Sequence, residues 1–84
     1  MKEEIHIGKL IRQKMEDEGR KVSWLAKRIG CSRNNVYQIY QHQSIDAKTL
    51  IRICISLEIN LFYYYYKYTE EQILKKRPQN ATFN

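Results

Sequence analysis

Polar side chains able to bind the edges of nucleic-acid bases cluster in the middle of the chain, at Arg33, Asn34, Asn35, Tyr37 and Gln38. Arginine can form two hydrogen bonds with a guanine edge, and asparagine and glutamine can do the same with adenine. On a helix that buries Val36 and Ile39, all five side chains would point outward. We therefore expect them to read base pairs, the alternative being an ordinary solvated helix face.

Two short helices joined by a tight turn are predicted to carry this face, over residues 22–29 and 33–41. Ala26 is small where the helices would approach closely, and Gly30 can adopt the positive φ that ends a helix. Ser32 can cap the second helix by accepting a backbone N–H hydrogen bond. With apolar residues between them, this spacing predicts a helix-turn-helix of the DNA-binding type.

Other polar residues lie beside the predicted second helix of this pair, at helix starts or in the following loop. Sugar-phosphate walls would pass there, and phosphate contacts set position and affinity without reading sequence. The candidates are Lys21, Ser23, Lys27, Ser32, Gln41, Ser44 and Lys48. For each one singly, an ordinary solvated side chain is the alternative.

Positive charge is concentrated on the same part of the chain. Residues 20–52 carry seven Lys or Arg against a single Asp, which gives +6, the net charge of the whole chain. Residues 1–19 have a net charge of −1 and residues 53–84 of +1. A polyanion is the natural partner of such a localised charge.

Apolar spacing predicts the remaining helices. Ile7, Leu10, Ile11 and Met15 indicate a first helix from about Lys2 to Glu18, ended by Gly19. A fourth helix capped by Asp46 would bury residues 50, 53, 54 and 57.

The aromatic run at 61–68 predicts a short fifth helix, although such runs also suit strands. A capping-box pattern then predicts further helical turns from Thr69 to Lys76, stopped by Pro78. We expect a compact all-α five-helix bundle, with one domain at 1–68 and a short helical extension and disordered tail at 69–84.

Several function classes are disfavoured. No apolar run approaches the roughly 18 residues of a membrane span or resembles a secretory signal, so we expect a cytoplasmic chain without membrane contact. Cys31 and Cys54 lack metal-ligand spacing and are expected to be reduced core residues. Because His6 and His42 lie near no nucleophile or ligand pattern, we expect no enzyme, no metal and no cofactor.

Surplus apolar residues suggest a subunit interface. Ile51 and Ile55 lie off the buried face of the fourth helix, close in sequence to the tyrosine run. Monomers seldom expose such a patch, so we expect a homodimer. Its interface would comprise Ile51, Ile55, Phe62, Tyr63 and Tyr66. The aromatic residues could instead stack on single-stranded nucleic acid, although at helical spacing they more often close a core. Trp24 could pack beneath this layer.

The region from Ile7 to Phe62 resembles the helix-turn-helix family of lambdoid phage repressors and Cro, often called the XRE family. The resemblance lies in residues 25–26, 29–30, 32–33, 36 and 39, followed by Asp46 and the helix at 50–57. It implies a five-helix domain that binds operator DNA as a two-fold dimer, with the third helix in the major groove. Among the base-reading candidates, it favours Arg33, Asn34 and Gln38.

The chain departs from the family pattern at three places. Val22 stands where a phosphate-binding glutamine is common, and His42 where a glycine is common. Met15 and Tyr40 replace an arginine–glutamate pair, so an apolar contact is expected there instead. We expect a sequence-specific regulator of transcription that binds double-stranded DNA, acting as a homodimeric repressor. The alternative is a protein-interaction module on the same fold, such as an antitoxin-like partner of another protein.

Overall fold

The computed structural model describes residues 4–77. It contains five helices: α1 Ile7–Asp17, α2 Val22–Ile29, α3 Arg33–Gln41, α4 Ala47–Leu57 and α5 Phe62–Lys76. Residues 4–77 include no strand. The expected all-α five-helix fold is confirmed, and both helices of the central pair have the predicted bounds. The tail expected at residues 79–84 lies outside the described residues.

Side-chain caps and left-handed residues fix the helix ends. The Ser32 and Asp46 side chains accept hydrogen bonds from the backbone N–H groups of Asn35 and Thr49, at 3.1 and 3.0 Å. Gly19 and Gly30 have positive φ angles of 66° and 76°. The predicted start of the first helix at Lys2 is wrong, because α1 begins at Ile7, after an extended His6 whose Nδ1 caps it.

The first four helices share one apolar core. Buried side chains come from each of these helices and from Leu61, and no polar side chain is buried among residues 4–77. Burying a Leu or Ile side chain contributes roughly 1.5–3 kcal/mol. The core residues are Ile7, Ile11, Met15, Leu25, Ala26, Ile29, Val36, Leu50, Ile53, Cys54, Leu57 and Leu61. This core holds α2 and α3 at a fixed angle.

Gly8 sets the contact between α1 and the end of α3. The backbone N–H groups of Ile7 and Gly8 donate to the carbonyl oxygens of Gln43 and His42, at 2.9 and 3.0 Å. A Cβ atom on residue 8 would collide with the carbonyl oxygens of Ile39 and Tyr40. The close approach therefore requires glycine at this position, a role that the sequence analysis missed.

The fifth helix is longer than predicted and does not restart at Thr69. Since neither Gly nor Pro occurs between residues 62 and 76, α5 continues through the capping-box pattern to Lys76. None of its fifteen residues is buried, and only Phe62 and Tyr65 pack against the core. Its C-terminal half is accordingly exposed except at the half-buried Gln72, and the exposed residues include the apolar Ile73 and Leu74.

Candidate nucleic-acid interface

The predicted base-reading residues share the solvent-facing side of α3. Val36 is fully buried, and Ile39 and Tyr40 are half-buried. Asn34 and Gln38 lie half a turn away from Val36 in the helical rotation and form one outward row with Gln41. The structure exposes all five base-reading candidates: Arg33, Asn34, Asn35, Tyr37 and Gln38.

Surface grooves flank α3 on both sides. One, of about 570 Å³, is lined by Asn35 and Gln38 of α3 together with Ser44 and Arg52. The other, of about 320 Å³, is lined by Tyr37 and Gln41 together with residues of α1 and α2. Between these grooves α3 forms a ridge, and the major groove of B-DNA is wide enough to admit a single helix.

The ends of α3 are held by hydrogen bonds. Ser32 stays exposed while its Oγ caps the helix, so the same side chain that was expected to bind phosphate also fixes the first turn. At the other end, His42 Nδ1 lies 2.7 Å from the carbonyl oxygen of Gln38, to which a protonated Nδ1 donates. The α3 helix, which carries Asn34 and Gln38, is thus held by a hydrogen bond at each end.

The candidate phosphate-binding residues do not all lie beside α3. All seven are exposed. Lys21 and Ser23 lie at the start of α2, Ser44 in the loop after α3, and Lys48 in the first turn of α4. Lys27 instead lies in the last turn of α2 and lines a separate groove between α2 and α4. The expectation that Lys27 lies at a helix start is therefore wrong.

The start of α2 differs in its chemistry from the family pattern. Its N-cap, Lys21, makes no side-chain hydrogen bond, and Val22 is half-buried against the core in place of a phosphate-binding glutamine. A helix N-terminus carries partial positive charge and backbone N–H donors. Phosphate binding at this end would depend on the backbone and on Lys21 and Ser23.

Two arginines that the sequence analysis did not select lie against Trp24. The guanidinium carbons of Arg20 and Arg28 are 4.2 and 5.1 Å from the centroid of the indole ring. Trp24 itself is half-buried and packs on the core, and these contacts place two cations against its ring. The four-residue spacing of Trp24 and Arg28 along α2 was the available signal for Arg28, whereas Arg20 precedes the helix.

Met15 and Tyr40 were expected to make an apolar contact, which stays a prediction. Met15 is buried, Tyr40 is half-buried, and both line the groove beside Tyr37. Burial raises the pKa of Tyr40, and the nearby Arg12 opposes this increase only in part. Tyr40 therefore carries no charge near neutral pH.

The described residues offer little for other chemistry. Residues 4–77 contain no group of three or more His, Cys, Asp or Glu side chains that could hold a metal ion. Cys31 is half-buried and Cys54 buried, and both thiols are free. Within the same part of the chain, every helix is too short or too polar to cross a membrane.

The comparisons with known proteins agree with this geometry. Residues 10–61 match the family described as the Cro/C1-type HTH DNA-binding domain. The match begins within α1 and includes the whole α2–α3 pair and α4. Neither the curated proteins nor the solved structures include a significant match. Since the family match covers more than half of the chain, the protein belongs to the Cro/C1-type helix-turn-helix DNA-binding family.

Proposed function

We propose that the protein is a sequence-specific transcriptional regulator that inserts α3 into the major groove of duplex DNA. The family supports DNA binding, and the exposure of Asn34 and Gln38 on the α3 ridge is the observation that carries the specific proposal. The arrangement puts amide groups, which can pair with adenine edges, on the solvent-facing side of α3.

Within this proposal, Arg33, Asn34 and Gln38 read bases, and Asn35 and Tyr37 contact the flanks of the site. Arg33 is the first residue of α3 and is exposed, as a bidentate contact to guanine requires. Lys21, Ser23, Ser44 and Lys48 lie outside α3 and bind phosphates, as does Gln41 at the C-terminal end of α3. Ser32 and Lys27 complete the phosphate set, with Lys27 in the last turn of α2.

We further propose a homodimer that represses transcription by occupying its operator. Ile51 and Ile55 are 47% and 71% exposed, and together with Phe62 they line an apolar surface groove. Tyr63 and Tyr66 are exposed on α5. Such a patch favours a partner, and a two-fold dimer would place two α3 helices on successive major grooves.

A protein-interaction module is the second candidate, supported by the exposed Ile73 and Leu74 beyond the expected dimer interface. Selection of duplexes from a random pool by the full chain tests the two candidates. Enrichment of one sequence that the Asn34→Ala/Gln38→Ala double variant fails to enrich supports the regulator. If no duplex is enriched and a stable protein partner is recovered from cells, the second candidate is correct.

A further inference from the structure

We propose that Arg20 is a phosphate contact of the DNA interface and that Trp24 is its positioning residue. This inference rests on the proposed function, because it concerns the duplex bound by α3. Arg20 lies outside both helices of the pair, between Gly19 and the N-cap Lys21. Its side chain nevertheless lines the same groove as Tyr37 and Gln41 of α3.

The backbone of Arg20 is fixed by the end of α1. Gly19 adopts a positive φ of 66°, and the N–H of Arg20 donates to the carbonyl oxygen of Met15 at 2.9 Å. Because Met15 is a buried core residue, this hydrogen bond ties the turn to the core. Arg20 therefore starts from a rigid position beside the recognition helix.

The side chain of Arg20 is then held by Trp24. Its guanidinium carbon lies 4.2 Å from the ring centroid, closer than that of Arg28, and an indole face attracts a cation at this distance. An arginine stacked on an aromatic ring still presents the donors at its edge, and these match the oxygens of a phosphate. Holding the side chain in place lowers the entropy lost on binding.

Nearby carboxylates do not cancel the positive charge. Arg20 Nε lies 3.4 Å from Glu18, but Lys14 Nζ is also 3.7 Å from the same carboxylate. Two cations thus share one anion. The other ions lining the groove, Arg12 and Glu16, pair with each other at 3.0 Å. A net positive charge remains for a phosphate next to α3.

Arg28 provides a matched control. It lies over the same ring and carries the same charge, yet it lines the groove between α2 and α4 with Arg52 and Ile55. Arg20→Gln and Arg28→Gln therefore remove the same charge and the same kind of ring contact beside two different grooves. Only the first change should affect DNA binding strongly.

The test is anisotropy of a short fluorescent duplex of mixed sequence, titrated with the full chain at several salt concentrations. Each phosphate contact that is lost reduces the slope of log K against log salt concentration by about 0.9. For one contact, the variant should therefore lose roughly eight times more affinity at 0.1 M salt than at 1 M salt. We expect this loss for Arg20→Gln and little change for Arg28→Gln. If the two variants lose the same amount of affinity, the proposed role of Arg20 is wrong but the proposed function stands. If the wild-type chain binds no duplex, the proposed function is wrong as well.

The role of Trp24 is tested with a double-mutant cycle. Trp24→Leu should weaken duplex binding in the wild-type background but have no further effect on the Arg20→Gln variant, and Trp24→Phe should restore part of the affinity. Circular dichroism establishes that each variant is folded. If Trp24→Leu weakens binding equally in both backgrounds, the ring acts only through packing and does not position Arg20.

Discussion

The crossing of α1 and α3 at Gly8 gives a sharp test of the fold. In a Gly8→Ala variant the added methyl group would occupy the space of the carbonyl oxygens of Ile39 and Tyr40. These atoms belong to the backbone of α3 and cannot rotate away as a side chain could. To relieve the collision, α1 must move away from α3. This movement stretches the hydrogen bonds from the N–H groups of Ile7 and Gly8 to the carbonyl oxygens of Gln43 and His42.

The expected cost follows from three effects. Overpacking of a close contact costs about 1–3 kcal/mol, and two weakened hydrogen bonds cost about 0.5–1.5 kcal/mol each. Alanine recovers about 1 kcal/mol because it favours a helix more than glycine does. The Gly8→Ala variant should therefore be destabilised by about 1–5 kcal/mol, and each kcal/mol lowers the Tm of a domain of this size by about 4–8 °C.

Urea unfolding followed by circular dichroism measures this cost. Gly30→Ala is the informative control, since a Cβ atom there meets open space and only the positive φ of 76° disfavours it, for a smaller loss of about 1–2 kcal/mol. The Gly8→Ala variant should also bind duplex DNA more weakly, because the end of α3 shifts. Wild-type stability in Gly8→Ala would show that the two helices do not cross as closely as described.

The remaining predictions concern binding, assembly and pH. Arg33→Ala and Gln38→Ala should each weaken binding to a selected operator by about 1–3 kcal/mol with little change on random DNA; equal losses on both would make these residues backbone contacts. Ile55→Asp should give folded monomers in sedimentation, and a variant that still dimerises would place the interface elsewhere. Hydrogen bonds from the hydroxyl and N–H groups of Thr49 hold the pKa of Asp46 below its ordinary value. The stability that this capping bond provides should therefore decline as the pH falls below about 4. Asp46→Asn keeps an N-cap without the titration, so its unfolding in urea should depend less on pH there than that of the wild type; the same dependence in both would contradict the assignment.

Local signals were sufficient to predict α2, α3 and the start of α4 from the sequence. Ser32 and Asp46 cap helices whose residues are close in sequence, and Gly30 ends α2 through its own backbone conformation. The outward face of α3 was predictable for the same reason, because burial of Val36 alone determines which neighbouring side chains point away. The positions and exposure of Asn34 and Gln38 thus followed from spacing within one helix.

The start of α1 depends on distant contacts. His6 is an uncommon N-cap, and the first amides of α1 are satisfied by the carbonyl oxygens of His42 and Gln43, more than thirty residues along the chain. A pattern of apolar residues cannot reveal such a partner. The length of α5 was missed for another reason, since a capping-box pattern such as that at Thr69 permits a helix start without requiring one.

The candidate phosphate-binding residues show most clearly which features residue spacing does not predict. Lys27 and Arg28 belong to the basic segment, but they line the groove between α2 and α4 together with Arg52. Arg20 precedes the helix pair, and yet the left-handed turn at Gly19 and the bond to Met15 carry it to the groove beside Tyr37. Charge along the sequence therefore predicts that this part of the molecule attracts a polyanion. Which cations can reach it depends on how α1 and α4 pack against α2.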